Sequence, residues 1–157
     1  MNRARFWLMT VGFDLFWAAA VAGRASLPLA GLALLACGLH PPRRWPLLLL
    51  LCAAGLLMDA LWLALGLFRF SDSAGIPLWM VALWLAWAVW WLDLLQRFRP
   101  RTLWLLLAGA LGGPFSYWMG ERLGAMTLMA SPWRVWPLLA LGWALFLSAS
   151  GWLANRR

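Results

Sequence analysis

Residues 45–68, WPLLLLLCAAGLLMDALWLALGLF, indicate the class of fold that this chain adopts. It is apolar throughout except for one charged residue, Asp59. A helix that crosses a bilayer needs about 20 apolar residues, so this stretch predicts a membrane-spanning α-helix. A carboxylate at bilayer depth is costly and persists where it faces the interior of a helix bundle, a partner or water. Asp59 is therefore the first candidate for a functional residue.

The composition of the whole chain agrees with a membrane protein. Its 157 residues are 65% hydrophobic and 11% charged, whereas a soluble domain is about 45–50% apolar and about 25% charged. We expect one integral-membrane helical domain over residues 1–157. The 13 basic residues are all arginine and give a net charge of +8, but they lie in short clusters between apolar runs. Topology signals lie in such places, so we exclude nucleic acid as a partner and expect membrane lipids instead.

The apolar sequence is divided into six runs, each too long and too uniformly apolar for the strands of a membrane barrel. They cover residues 6–22, 27–39, 45–68, 77–95, 102–129 and 133–153. This pattern predicts an all-α, polytopic bundle of six transmembrane helices. The second run is short. The fifth is interrupted by Gly112-Gly113-Pro114, so it either crosses the membrane once or turns back at Pro114.

The distribution of arginine predicts the orientation, because cytoplasmic loops carry an excess of basic residues. With both termini in the cytoplasm, nine of the 13 arginines lie on the inner side and four on the outer side. The inner ones are Arg3, Arg5, Arg43, Arg44, Arg97, Arg99, Arg101, Arg156 and Arg157, and the outer ones are Arg24, Arg69, Arg122 and Arg134. We therefore expect a multi-pass membrane protein with both ends in the cytoplasm.

Two aspartates within apolar runs and three polar residues of the fifth run are the candidate site. With a rise of about 1.5 Å per residue, Asp59 lies about 21 Å along the third run and Tyr117 about 24 Å along the fifth. We expect Asp59, Tyr117, Glu121 and Arg122 to form a polar cluster that opens toward the outer leaflet. Asp14 lies closer to the cytoplasm, about 12 Å from the start of its run. The cluster is either a ligand pocket or a structural link in which Asp59 pairs with Arg122 or Tyr117.

Three tryptophans of the fourth run share one helix face, since Trp84, Trp87 and Trp91 are spaced by three and four residues. Such a face is either an aromatic wall for a flat hydrophobic ligand, such as a quinone or an acyl chain, or packing between helices. Aromatic stripes at helical spacing are ordinarily packing, so we favour the second interpretation.

A stripe of small residues follows the fifth run with spacings of four, three, four and four. It consists of Gly109, Gly113, Ser116, Gly120 and Gly124. Small residues let helix backbones approach closely in lipid, so the stripe predicts a helix-packing seam.

Catalytic machinery is not indicated by the sequence. We find no pairing of a nucleophile with a base, no metal-binding spacing and no phosphate-binding loop, and we predict no catalytic residue, metal or cofactor.

Two other polar residues have structural roles in this prediction. His40 is expected in a loop at the membrane surface. Asp93 is expected to pair with Arg97, four residues further along the same helix.

A family resemblance rests chiefly on residues 112–125, GGPFSYWMGERLGA. Here the chain resembles a bacterial inner-membrane family, the domain of unknown function 2878, and residues 55–59, GLLMD, are also similar to it. The resemblance implies a compact multi-helix protein of the bacterial inner (cytoplasmic) membrane without an assigned activity. Members are often encoded beside fatty-acid-modifying enzymes, which implies a role related to lipids.

The leading hypothesis is a non-enzymatic membrane protein that binds a lipid or similar amphiphile in support of lipid modification or translocation. One alternative is a small proton- or cation-coupled transporter, and another is a membrane enzyme acting on a lipid or quinone. Possible protein partners are further copies of the chain or lipid-modifying proteins.

Overall fold

The structure is a computed structural model and describes residues 3–155. Six α-helices account for most of it, joined by short turns. They are α1 (Arg3–Ala18), α2 (Ser26–Gly38), α3 (Trp45–Ala64), α4 (Leu78–Phe98), α5 (Thr102–Arg122) and α6 (Pro132–Asn155). A π-helical segment, Ala19–Gly23, continues α1, and a 3-10 turn, Pro42–Arg44, precedes α3. The all-α prediction is thus confirmed.

Within the described residues, four helical segments are long and apolar enough to cross a membrane. They are Phe6–Gly23, Pro42–Ala64, Leu78–Phe98 and Pro132–Asn155. The α2 helix is apolar but shorter. The α5 helix is 21 residues long, but its sequence is less apolar because it contains glycine, proline and serine. The chain therefore has the helices of a membrane protein.

The third and fifth helices end earlier than the apolar runs predict. Gly66 and Gly124 adopt positive φ angles of 65° and 72° just beyond α3 and α5, and a glycine tolerates this left-handed conformation without strain. Two short strands follow, β1 (Phe68–Phe70) and β2 (Met126–Leu128). They pair antiparallel with Arg69 opposite Thr127, so a two-stranded ribbon replaces the ends of two expected helices.

Pro114 lies inside α5 without turning the chain back. The helix continues from Thr102 to Arg122, and the Ser116 hydroxyl donates a hydrogen bond to the Gly112 carbonyl at 2.9 Å. A proline within a helix removes one backbone hydrogen bond, but the helix persists across it. Of the two alternatives for the fifth run, the structure has the single uninterrupted helix.

The α4 helix is the centre of the bundle. It packs against α1, α2, α3 and α6, whereas α5 packs mainly against α6. Most of its side chains are buried, including the indole of Trp79, which is fully enclosed. Because α1 packs on α4 and α5 packs on α6, a space remains between α1 and α5, and the candidate site lies there.

Candidate functional site

The site is built around the carboxylate of Asp59, which is fully buried in α3. Its Oδ2 atom accepts a hydrogen bond from Nε1 of Trp84 on α4 at 2.7 Å. Its Oδ1 atom accepts one from the hydroxyl of Tyr117 on α5. Both donors are buried as well. One carboxylate therefore joins three helices, and each of its oxygens has a partner, as a buried polar group requires.

The sequence around Asp59 explains how the Trp84 indole reaches it. Gly55 lies one turn earlier on the same face of α3, and a Cβ atom there would overlap the six-membered ring of Trp84. The ring thus lies directly on the glycine backbone, and its N–H points along α3 to the carboxylate. The other side of the ring stacks on Trp143, with centroids 5.3 Å apart and planes at 16°.

Trp143 is held by a second glycine. A Cβ atom on Gly113 would overlap the Trp143 side chain, and one on Gly109 would overlap the α6 backbone at Trp143. These two members of the small-residue stripe therefore lie at the contact between α5 and α6. Gly120 instead faces Met126 of β2, and Ser116 is half-buried. Gly124 lies beyond the end of α5, so its predicted place in a helical seam is wrong.

Beside the carboxylate is a cavity of about 280 Å³ between α1, α4, α5 and α6. Its wall is almost entirely apolar. The apolar lining side chains include Phe13 and Trp17 from α1, Trp87 and Trp90 from α4, and Trp143 and Leu147 from α6. Asp59, Tyr117 and Ser116 supply the side-chain oxygen atoms of the wall. The cavity combines a long apolar surface with one buried carboxylate.

Two of the residues that line the cavity, Ala108 and Gly112 of α5, are exposed, whereas the others are buried or half-buried. Near Tyr117, the ring of Phe68 in β1 packs on the tyrosine ring, with centroids 5.2 Å apart. Beyond the end of α5, Nη1 of Arg24 donates to the Gly124 carbonyl at 2.6 Å. The exposed part of the cavity wall therefore lies in the middle of α5, and the part near Tyr117 is buried.

The three tryptophans of the predicted aromatic wall line the cavity, and they also pack on each other. The rings of Trp87 and Trp91 stack with centroids 5.4 Å apart, and the rings of Trp84 and Trp87 meet edge to face with centroids 5.4 Å apart.

Two further tryptophans of the cavity wall are not indicated by their own spacing in the sequence. One is Trp90, which stacks on Phe13 of α1 with ring centroids 4.7 Å apart. The other is Trp143. The spacing of Gly109 and Gly113 is the feature of the sequence that points to it, because a glycine on a packed helix face leaves room for a large side chain of the neighbouring helix.

The structure brings together only part of the expected polar cluster. Asp59 and Tyr117 are hydrogen-bonded, but Glu121 accepts from the backbone N–H of Leu128 at 3.4 Å. The guanidinium of Arg122 is exposed and lies over the Trp118 ring, 5.4 Å from its centroid. Asp14 is exposed on α1. Of the alternatives for Asp59, the structure therefore has Tyr117 rather than Arg122 as its partner.

A second polar network lies at the opposite end of the bundle. Oδ1 of Asp93 lies 3.3 Å from Nε2 of His40 and 3.2 Å from Nη1 of Arg44. Arg44 also donates to Gln96 at 2.7 Å. His40 is 5% exposed, so it is a buried link between α2 and α4 rather than a surface loop residue. Arg97 is the residue that the sequence predicts as a partner of Asp93, and its guanidinium lies 5.5 Å from the centroid of the Phe6 ring.

Chemically, the site presents a hydrogen-bond acceptor to the cavity. The Asp59 carboxylate is an acceptor held by two neutral donors, and each of its oxygens retains a lone pair. Within residues 3–155, no group of three or more His, Cys, Asp or Glu side chains is placed to hold a metal ion.

The family model described as "Protein of unknown function (DUF2878)" matches residues 6–149. The chain therefore belongs to this family, as the resemblance of its fifth run indicated. No curated protein and no solved structure gives a significant match.

Proposed function

We propose that this member of the family is an integral membrane protein that binds a lipid or similar amphiphile in the cavity beside Asp59. The proposal is supported by the exposure of Ala108 and Gly112, in the middle of α5, within the wall of a cavity lined mainly by indole and aliphatic groups. We infer that the cavity opens there, on the flank of the bundle. Ligand sites are usually concave and apolar with a few placed polar groups. An opening on the flank of a membrane bundle faces acyl chains, so a lipid tail enters without crossing water.

The six-crossing topology belongs to the same proposal and is supported by contacts at both ends of the bundle. Arg24 after α1 contacts Gly124 after α5, and β1 after α3 pairs with β2. At the other end, His40 after α2 contacts Asp93 near the end of α4. The odd-numbered helices thus finish at one end and α2 and α4 at the other, as alternating crossings require.

The lengths of α2 and α5 are compatible with this topology. The 21 residues of α5 extend about 31 Å, close to the thickness of a hydrocarbon core. The 13 residues of α2 extend about 20 Å. Local thinning of the bilayer accommodates a short helix at modest cost. The excess of arginine at the end that carries Arg43 and Arg44 supports a cytoplasmic location for both termini in a bacterial inner membrane.

Native mass spectrometry of the gently purified protein tests the proposal. We expect a bound lipid in the unmodified chain and its loss in Gly112→Trp, because an indole at the opening fills the entrance. Gly31→Trp is the matched control. Gly31 also lies exposed on a helix, α2, and a Cβ there has nothing within 4 Å, but it is not part of the cavity wall.

Asp59→Asn separates the roles of the apolar wall and the carboxylate. If the polar head of the ligand contacts Asp59, the variant keeps its fold but loses most of the bound lipid. An unmodified protein that carries no lipid, or a Gly112→Trp variant that carries as much as Gly31→Trp, would contradict the proposal.

A further inference from the structure

The carboxylate of Asp14 lies on the outer surface of α1, halfway along a segment that is long and apolar enough to cross the membrane. It is eight residues after Phe6 and nine before Gly23, or about 12 Å and about 13 Å from the two ends of that segment. Within residues 3–155 it makes no hydrogen bond and no ion pair. An ionisable group at this depth is expected to face a partner rather than acyl chains.

The helix face that carries Asp14 is continuous. Trp7, Val11, Asp14 and Ala18 are all exposed and follow each other at spacings of four, three and four residues. That repeat keeps one side chain after another on the same face and is the repeat of helices that pack side by side. The opposite face, with Phe13, is the one that packs on α4. The exposed face therefore has the length and pattern to receive one further helix.

Charge complementarity indicates which kind of helix fits. A carboxylate in hydrocarbon is stabilised most strongly by a basic group at the same depth. A second copy of this chain does not offer a basic group there: it contains no lysine, and every arginine from Arg3 to Arg134 lies in a loop, in β1, or in the first or last turn of a helix. Across a two-fold axis, Asp14 would approach the Asp14 of the other copy, which carries the same charge and is not a basic partner.

We propose that the α1 face centred on Asp14 binds a transmembrane helix of a different membrane protein, one that carries a basic residue near mid-membrane. The contact is independent of the cavity, because Asp14 is not among the residues that line it. Lipid binding and partner binding are consequently separable by mutation.

Energy transfer in lipid vesicles between the labelled full chain and a labelled synthetic helix tests this inference. The probe is a leucine-rich peptide of about 20 residues with one central lysine, and the control peptide has leucine there. We expect association with the lysine peptide above the level of random mixing, and about tenfold weaker association for Asp14→Leu, the size of one polar contact between membrane helices. Asp14→Asn, which still forms hydrogen bonds, is expected to lie between.

A steric variant keeps the test independent of charge. Ala18→Trp places an indole on the proposed face and is expected to block the lysine peptide, whereas Ala53→Trp, at an exposed position of α3, is not. Equal association of the lysine and leucine peptides, or no effect of Asp14→Leu, overturns the proposal. Association of the chain with itself that is lost in Asp14→Leu also overturns it, because the occupant is then a second copy.

Discussion

The indole N–H of Trp84 on α4 donates to the carboxylate of Asp59 on α3 at 2.7 Å, while the face of the same ring covers Gly55 one turn earlier. The glycine and the aspartate thus act on one side chain. The absence of a Cβ at position 55 lets the ring approach the helix, and the carboxylate fixes its orientation. The cavity wall depends on this arrangement, since Trp143 stacks on the other side of the ring.

Gly55→Ala is expected to destabilise the protein by about 1–3 kcal/mol, the usual cost of overfilling a packed core. The added methyl group overlaps the Trp84 ring and displaces it from Asp59. Thermal unfolding in detergent measures the change. The control is Gly31→Ala, on an open face of α2, which is expected to be neutral or slightly stabilising because alanine favours helix. Equal melting temperatures for the two variants would show that Trp84 does not depend on Gly55.

Tyr117→Phe is expected to cost about 1–3 kcal/mol of unfolding free energy, because it leaves one buried oxygen of Asp59 without its donor. In a chain that carries Asp59→Leu the same change should cost much less, since no carboxylate remains to be satisfied. A double-mutant cycle of the two substitutions gives the coupling between them. A coupling near zero would mean that the tyrosine stabilises the bundle through its ring alone.

Arg44→Ala is expected to destabilise the opposite end of the bundle by about 1–3 kcal/mol, because the buried Asp93 then loses a charged donor. Arg43, its neighbour, is exposed, and Arg43→Ala serves as the control with an expected change within about 0.5 kcal/mol. Chemical unfolding of both variants under identical conditions provides the comparison. Similar losses in the two would imply a general effect of charge rather than the contact with Asp93.

The six-crossing topology predicts opposite accessibility for two exposed loop positions. In a chain whose two native cysteines, Cys37 and Cys52, are replaced by alanine, we introduce one cysteine at Ala74 or at Arg99. A membrane-impermeant thiol reagent applied to intact cells should label the cysteine at position 74. It should label the one at position 99 only after the membrane is opened. Labelling of both in intact cells would place the two loops on the same side and rule out a single crossing by α4.

Much of the helical architecture could be predicted from the sequence, because apolar runs longer than a bilayer leave little choice of conformation. The rise of a helix also placed Asp59 and Tyr117 at a similar level before any contact was known. The strands β1 and β2 could not be predicted in this way, since each has only three residues. β2 lies inside the fifth apolar run and β1 begins at the last residue of the third, and both follow the glycines, Gly66 and Gly124, that end the helices.

The partners of individual side chains were harder to predict than the helices. Glu121 and Arg122 follow Tyr117 by one turn, but the rotation of α5 that buries Tyr117 directs Arg122 to Trp118 on the surface. His40 and Asp93 are 53 residues apart, and only the packing of α2 on α4 brings them together. Spacing along one helix is visible in a sequence, whereas the rotation of that helix about its axis depends on neighbours far along the chain.

In the proposed complex, an acyl chain enters between α1 and α5 and lies beside Trp87 and Leu147. Photo-crosslinking with a lipid that carries a diazirine in its acyl chain, followed by peptide mapping, locates the bound chain. We predict adducts on cavity residues such as Leu147 that are lost in Gly112→Trp and kept in Gly31→Trp. Adducts confined to outward-facing residues such as Leu141 and Leu145, unchanged by Gly112→Trp, would rule out binding in the cavity.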